Sequence, residues 1–499
     1  MSTAIFWVLA PLAAASGLMV FRFGSMARAT IALLSSFLTT RAADLGLYIA
    51  AGAAVAGGVR GLALAGLAGA SPPWLDAVTA GVVAAALGKS AQLPFSFWLS
   101  RAMQGPSPVS ALLHSATMVA AGAYLLLRVQ PLLAASGWGA PVAAWTGAVT
   151  AVALGLVAVA QDDLKQLLAA STCAQIGFMV LAAGAGGVAG GVLQLVAHAA
   201  VKSLLFLAAG AWLTALGTKR LAALRGAARR YRVAGVAFTA GAVALAGLPP
   251  ASLWVTKDEV LAAALRHGPA LYATGLAAAV VSAVYAVKAL WYVWQPVPAD
   301  AAAGYDTERP GTRRLARVSA APLVALAVPA AALGVLALPM IAGPLDRALG
   351  AAGEPSPAWW QLTVSAVLAV AASGLTWWRA AAGFPVPAAI TGWLARWLDL
   401  ERAARVVIVR PVLALAGFLA GFDDRILDRG VSAIAAAPSP WPGPRRGPTT
   451  PTSTGSSARW PPGRGGSGSS PGGRRPGSCT PTTSRPWSRS RRSCWCSSW

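Results

Sequence analysis

Apolar segments of roughly 20 residues recur along about 400 residues of this chain, and each is long enough to cross a bilayer's hydrocarbon as a helix. No other feature restricts the fold as much. Backbone N–H and C=O groups in hydrocarbon must be satisfied within the structure, which leaves helices and closed barrels. A barrel needs segments of about ten residues that alternate in polarity, and the chain shows none. Composition agrees: 56% of residues are hydrophobic and 11% charged, where a water-soluble globule carries about 25% charged residues. A secretory signal is one short apolar segment near the start, so it does not explain the recurrence.

The pattern predicts an all-α, polytopic transmembrane bundle over residues 1–380, with about twelve helices. They lie near 3–21, 30–58, 74–93, 107–130, 141–160, 164–185, 190–216, 233–249, 251–267, 270–294, 318–342 and 358–379. Gly and Ala dominate them, as close helix packing in lipid requires. Lys219, Arg220, Arg225, Arg229, Arg230 and Arg232 crowd one loop, and Arg309, Arg313, Arg314 and Arg317 another. If 233–267 makes a single broken crossing, both loops fall on the same side. The positive-inside rule makes that side cytoplasmic.

Residues 386–435 read differently. Arg396, Asp399, Glu401, Arg402 and Arg405 interrupt apolar positions at helical spacing. That is an amphipathic pattern, too charged to span, which suits a lateral helix along the bundle or interface; an ordinary surface helix fits as well. From 438 to 499 the chain is rich in Pro, Gly, Ser, Thr, Trp and Arg, with ten arginines and no acid. WPGPRRGPTTPTSTGSSARWPPGRGG looks like GC-rich DNA translated out of frame, so a frameshift near 438 is expected. A disordered basic arm for anionic lipid or nucleic acid is the other reading. The net charge of +24 owes much to this tail and is no argument for a nucleic-acid partner. Cys173 sits alone in an apolar helix, and Cys479, Cys494 and Cys496 belong to the tail.

An ionised group at mid-bilayer costs about 3 kcal/mol or more, so each one is a candidate for function. Lys89 opens KSAQLPFSFWLSRAMQGPSPVSALLHSATM. Pro94 cannot bond the carbonyl of Ser90, and a freed carbonyl would give the ammonium a partner. Broken backbone at this depth must be buried in protein or line a wet cavity. A snorkelling lysine fits the same residues. His114 follows Pro106 and Pro108 and can pass protons near neutral pH, or serve as a satisfied core histidine. In GGVLQLVAHAAVKSLLFLAAGAW, Gln194, His198 and Lys202 fall at i, i+4 and i+8, a polar stripe that suggests a hydrated path.

Pro249 and Pro250 break another helix ahead of Lys257, which Asp258 and Glu259 adjoin. Two proline-broken helices, each with a nearby lysine, in corresponding halves point to an ion site between inverted repeats. Lys165 opens the helix between the clusters, where Asp162 or Asp163 can cap. Arg41 and Asp44 stand at i, i+3, as a static salt bridge or a modulating pair. No CxxC framework, Walker loop or dinucleotide fingerprint occurs, and no histidine pair is spaced to grip haem.

GKSAQLPFSFWLSRAMQGPSPVSALLHSATMVAAGAYL closely resembles the motif of the proton-conducting antiporter-like membrane subunits of respiratory complex I. TTRAADLGLYIA, DDLKQLLAASTCAQIGFMVLAAG, LVAHAAVKSLLFLAAGAW and AGLPPASLWVTKDEVL match that family in order, over about 1–435. The resemblance implies a subunit that moves protons in the inner (plasma) membrane among other membrane subunits, within an enzyme whose electron transfer lies elsewhere. NADH, FMN, iron–sulfur clusters and quinone would belong to partner subunits, and this chain would hold no cofactor.

Residue by residue, it implies that Lys89 is the central lysine of a first half-channel, tuned by Asp44, with His114 relaying from it. Lys165 and Lys202 would bridge to the second half with His198 between them, and Lys257 would stand at the exit. Family members also carry more helices at the start and a glutamate that pairs with the counterpart of Lys89; residues 1–21 contain no acid. Multisubunit cation/proton antiporters and inorganic-carbon uptake complexes share these motifs and are the alternatives.

Overall fold

The computed structural model describes residues 26–61, 63–115, 117–296, 311–315, 320–337, 339–349, 351, 353–380 and 388–436. The expected helix 3–21 and the tail from 438 lie outside the described residues. The chain divides into two units, 1–421 and 422–499. In the second, Asp423–Leu427 and Asp428–Ala436 are helical.

The first unit is built of helices. The ones that carry the site are α1 (Met26–Ala56), α2 (Trp74–Lys89), α3 (Ser107–Ser115), α4 (Met118–Arg128), α5 (Gly139–Ala160), α6 (Leu164–Gly184) and α7 (Val188–Leu216), followed by α8 (Arg232–Ala246), α9 (Ser252–His267), α10 (Pro269–Trp294), α11 (Ala320–Ala332) and α12 (Trp359–Arg379). No strand occurs among the described residues, and the one isolated bridge joins Asp163 to Arg220. Seven helical stretches among the described residues are long and apolar enough to cross a membrane.

Helix α6 lies at the centre: every residue except Gln166 is buried. Around it, small residues replace a hydrophobic driving force that lipid cannot supply. A Cβ placed on Gly177 of α6 would lie 2.6 Å from the Gly147 carbonyl oxygen of α5 and 3.0 Å from the Ala151 nitrogen. The two backbones therefore meet directly.

Hydrogen bonds between termini fix the direction of each crossing. At one end, Leu164 N–H donates to Lys219 O, Leu221 N–H to Asp162 O, and Arg313 N–H to Ala215 O. There too, Arg229 donates to Trp294 O, Tyr231 to Arg313 O, and Gln166 to Ser100 O. This is the arginine-rich end. At the other, Trp138 donates to Asp76 at 2.7 Å and His267 meets Ala185 O at 3.1 Å. The backbone N–H groups of Val188 and Ala189, at the start of α7, donate to the Glu354 carboxylate there.

Broken crossing α2 with Phe97–Ala102 runs toward the basic end, and α8 with α9 runs away from it. The two broken helices thus have opposite polarity, and residues 232–267 make one crossing.

α2 ends at Lys89, with Pro94 beyond it; α8 ends at Gly247, whose φ of +74° closes the last turn as glycine allows. The Leu93–Pro94 and Pro249–Pro250 bonds are cis. Trp397–Ala433 is apolar enough to cross a membrane by length and composition. The acids and most of the arginines fall at 396–405 and 423–429, so 406–422 holds Arg410 alone.

Candidate functional site

Asp44 of α1 reaches across to Lys89 of α2, with Oδ1 2.7 Å from Nζ, and its Oδ2 lies 3.4 Å from Arg41. Arg41 and Asp44 do form the i, i+3 pair, but the closer contact is the interhelical one. The carbonyl of Ser90, expected to serve Lys89, accepts instead from Gln92 Nε2 at 3.0 Å. The amide sits two residues away and fills the gap that Pro94 leaves, while a carboxylate is the stronger partner for an ammonium. Ser90 Oγ donates to Val119 O, Trp98 Nε1 to Gly88 O, and Leu93 N–H to Thr150 Oγ1. The break is thereby tied to α4 and α5, and its two halves to each other, rather than left open.

His114 is fully buried on α3, stacked on Phe206 of α7 with ring centroids 4.5 Å apart. Neither of its ring nitrogens has a protein hydrogen-bond partner. Its main-chain oxygen lies 3.3 Å from His198 Nε2. Lys165 is buried, and its Nζ donates to Gly105 O at 2.7 Å. Asp163, not Asp162, caps α6, accepting from the backbone N–H groups of Lys165 and Gln166.

Lys202 of α7 donates to Ser171 Oγ at 2.5 Å and to Leu168 O at 3.1 Å, both on α6. Lys257 of α9 donates to Ser282 Oγ of α10 at 2.6 Å and to Leu245 O at 3.0 Å. Leu245 stands in the last turn of α8, so here a carbonyl beside the break does hold the ammonium. The neighbouring carboxylate turns elsewhere: Asp258 Oδ2 accepts from Ser365 Oγ of α12 at 2.6 Å. Each of these lysines thus has one carbonyl and one hydroxyl acceptor, the geometry of an amine that can gain and lose a proton in place.

Of the seven candidate residues, Asp44, His114, Lys165, His198, Lys202 and Lys257 are buried in the bundle, and Lys89 is partly exposed, its side chain 27% accessible. His114, His198, Lys165 and Lys202 gather around α6 and α7, while Asp44–Lys89 and Lys257 stand to either side. The sequence reading missed the acceptors Ser171 and Ser282, because hydroxyls in apolar helices carry no signal of their own. It also missed Lys288 near the end of α10, which donates to Val159 O and Gln161 O at 2.8 Å each. A further lysine in an apolar helix was there to be weighed; in the fold it closes the C-terminus of α5. Among the described residues, no group of three or more His, Cys, Asp and Glu could hold a metal.

Residues 4–284 match the family described as NADH:quinone oxidoreductase/Mrp antiporter, transmembrane. That match covers more than half of the chain. The chain belongs to this family. NADH-quinone oxidoreductase subunit L of Pseudomonas aeruginosa is 37% identical over 284 residues, which are 56% of this chain and 45% of that protein. Among solved structures, the Mrp complex from Dietzia sp. DQ12-45-1b superposes with a TM-score of 0.60 at 26% identity, covering 87% of this chain and 49% of that one.

Respiratory complex I from Thermus thermophilus with bound NADH gives 0.54 at 23% identity, covering 71% of each chain, and attests the fold. The chain spans 33% to 45% of the length of the curated relatives first matched. The family match takes in the Lys89, Lys202 and Lys257 centres together.

Proposed function

We propose that this chain is the proton-conducting membrane subunit of an NADH:quinone oxidoreductase assembly in the plasma membrane. Electron transfer, with NADH, FMN, iron–sulfur clusters and quinone, belongs to partner subunits; this chain converts their signal into proton movement. Lys89, Lys202 and Lys257 carry the protons, with His114, Lys165 and His198 between the centres and Asp44 biasing the first. Residues 386–435 supply a lateral element toward neighbouring membrane subunits.

One observation carries the reading: two lysines buried in an apolar bundle, each held by a carbonyl and a hydroxyl, and a third, partly exposed, held by a carboxylate, beside two broken helices of opposite polarity. Moving a charge against 100 mV costs about 2.3 kcal/mol, and one pKa unit is worth about 1.36 kcal/mol. A swing of about two units at one lysine is thus the right scale for one proton per step.

The test is NADH-driven acidification of inverted membrane vesicles carrying the complete assembly. Lys89→Ala and Lys202→Ala should each lower it severalfold with the chain still present in the membrane. Wild-type acidification in both variants would falsify the proposal. The likeness to the Mrp complex favours a second reading, a cation/proton antiporter subunit. Acidification that requires sodium and no electron donor would select it.

A further inference from the structure

A polar chain that the lysines do not explain crosses the bundle between Lys202 and Lys257. Thr256 of α9 donates to Gln194 Oε1 of α7 at 2.5 Å. Gln194 Nε2 donates to Gln175 Oε1 of α6 at 3.0 Å, and Gln175 Nε2 donates to the Tyr285 hydroxyl of α10 at 2.8 Å. All four side chains are at most 1% exposed. The chain is anchored at both centres. Gln175 lies one turn beyond Ser171, the acceptor of Lys202, and Gln194 lies two turns before Lys202. Thr256 adjoins Lys257, and Tyr285 follows Ser282, its acceptor, by three residues. Phe178, one turn past Gln175, places its ring centroid 5.8 Å from Lys257 Nζ.

The chemistry of an amide gives the chain a meaning. A hydroxyl, a water or an imidazole can accept a proton on one side while releasing one on the other. A primary amide has two N–H donors and a carbonyl acceptor on separate atoms, and it does not exchange these roles near neutral pH. Two amides in series therefore conduct no protons, though they bond at both ends. They are also locked to each other: turning either one alone sets oxygen against oxygen or nitrogen against nitrogen. A buried hydrogen-bonded chain of this kind holds its helices in register.

Resting on the proton-conducting reading, we propose that Gln175 and Gln194 are positioning residues forming an amide clasp that ties α6, α7, α9 and α10 together and blocks passive leak between the Lys202 and Lys257 centres, so that protons pass between them only when the driven assembly opens the clasp.

Passive proton conductance tests this in inverted vesicles carrying the complete assembly, with no electron donor, under an imposed potassium diffusion potential. Gln194→Glu and Gln175→His each put a proton-exchanging group into the clasp. Conductance should rise about tenfold, equivalent to about 1.4 kcal/mol of barrier. Gln194→Leu breaks the clasp without adding a relay and should show no such rise. Adding Lys202→Ala to Gln194→Glu should abolish the leak.

An equal rise in the Leu variant means general loosening and overturns the insulating role. So does wild-type conductance in the Glu and His variants at normal abundance in the membrane, or a leak that survives Lys202→Ala. The two readings fail separately. Full NADH-driven pumping in Lys202→Ala removes proton conduction through this row altogether. Lost pumping there, with tight Glu and His variants, removes only the clasp.

Discussion

Lys202 and Lys257 show how a bilayer protein keeps an amine buried. Each ammonium donates to one serine hydroxyl and one main-chain oxygen, from a different helix in every case but the pair on α6. A buried charge with good acceptors is tolerated, but an apolar side chain of similar length is often as stable or more so. Lys257→Met should therefore keep the detergent-solubilised assembly's melting temperature at or above that of the wild type. Ser282 still donates to Ala279 O at 2.7 Å, so only Leu245 O loses its partner. Vesicle acidification should fall to background in the same variant. A Lys257→Met protein that pumps normally would remove the residue from the path. Lys202, Lys257, His114 and His198 were legible in the sequence because a polar or charged group in an apolar run is costly wherever it lies. Ser171, Ser282, Gln175 and Tyr285 were not, since a polar side chain in such a helix gains meaning only from what the neighbouring helix sets opposite it.

At the scale of elements, α5 and α6 depend on backbone contact rather than on interlocking side chains. Gly177 leaves no room for a Cβ against Gly147 O and Ala151. Gly177→Val should therefore push the pair apart, at a cost of about 1–3 kcal/mol typical of overpacking. Thermal denaturation in detergent checks this, and an unshifted midpoint would contradict the close approach. Because Ser171 and Gln175 ride on the same helix, the displacement should reduce pumping as well. Gly and Ala enrichment announced close packing in the sequence, but not which pair of helices uses it. The broken helices were announced by Pro94 and by Pro249 with Pro250. The expected service of the freed Ser90 carbonyl to Lys89 did not follow, because Gln92 and Asp44 were nearer and better partners.

At the scale of the whole first unit, two basic segments meet at one end. Residues 311–315 bond to the end of α7, and Tyr231 bonds to Arg313 O. The positive-inside rule predicts that this end faces the cytoplasm. In a background in which Cys479, Cys494 and Cys496 are replaced, Arg229→Cys should react with an impermeant maleimide only from the cytoplasmic side. Gly58→Cys, at the other end, should react only from outside. The reverse pattern would invert the topology.

Spans, breaks, basic loops and the list of costly charges could all be read from the sequence, because in hydrocarbon each helix must satisfy its own backbone and each charge bears its penalty locally. Which oxygen holds each ammonium, and that two amides close the gap between Lys202 and Lys257, depends on helices up to 110 residues apart in the chain. Only their packing, set by small residues and crossing polarity, brings those atoms within hydrogen-bond reach.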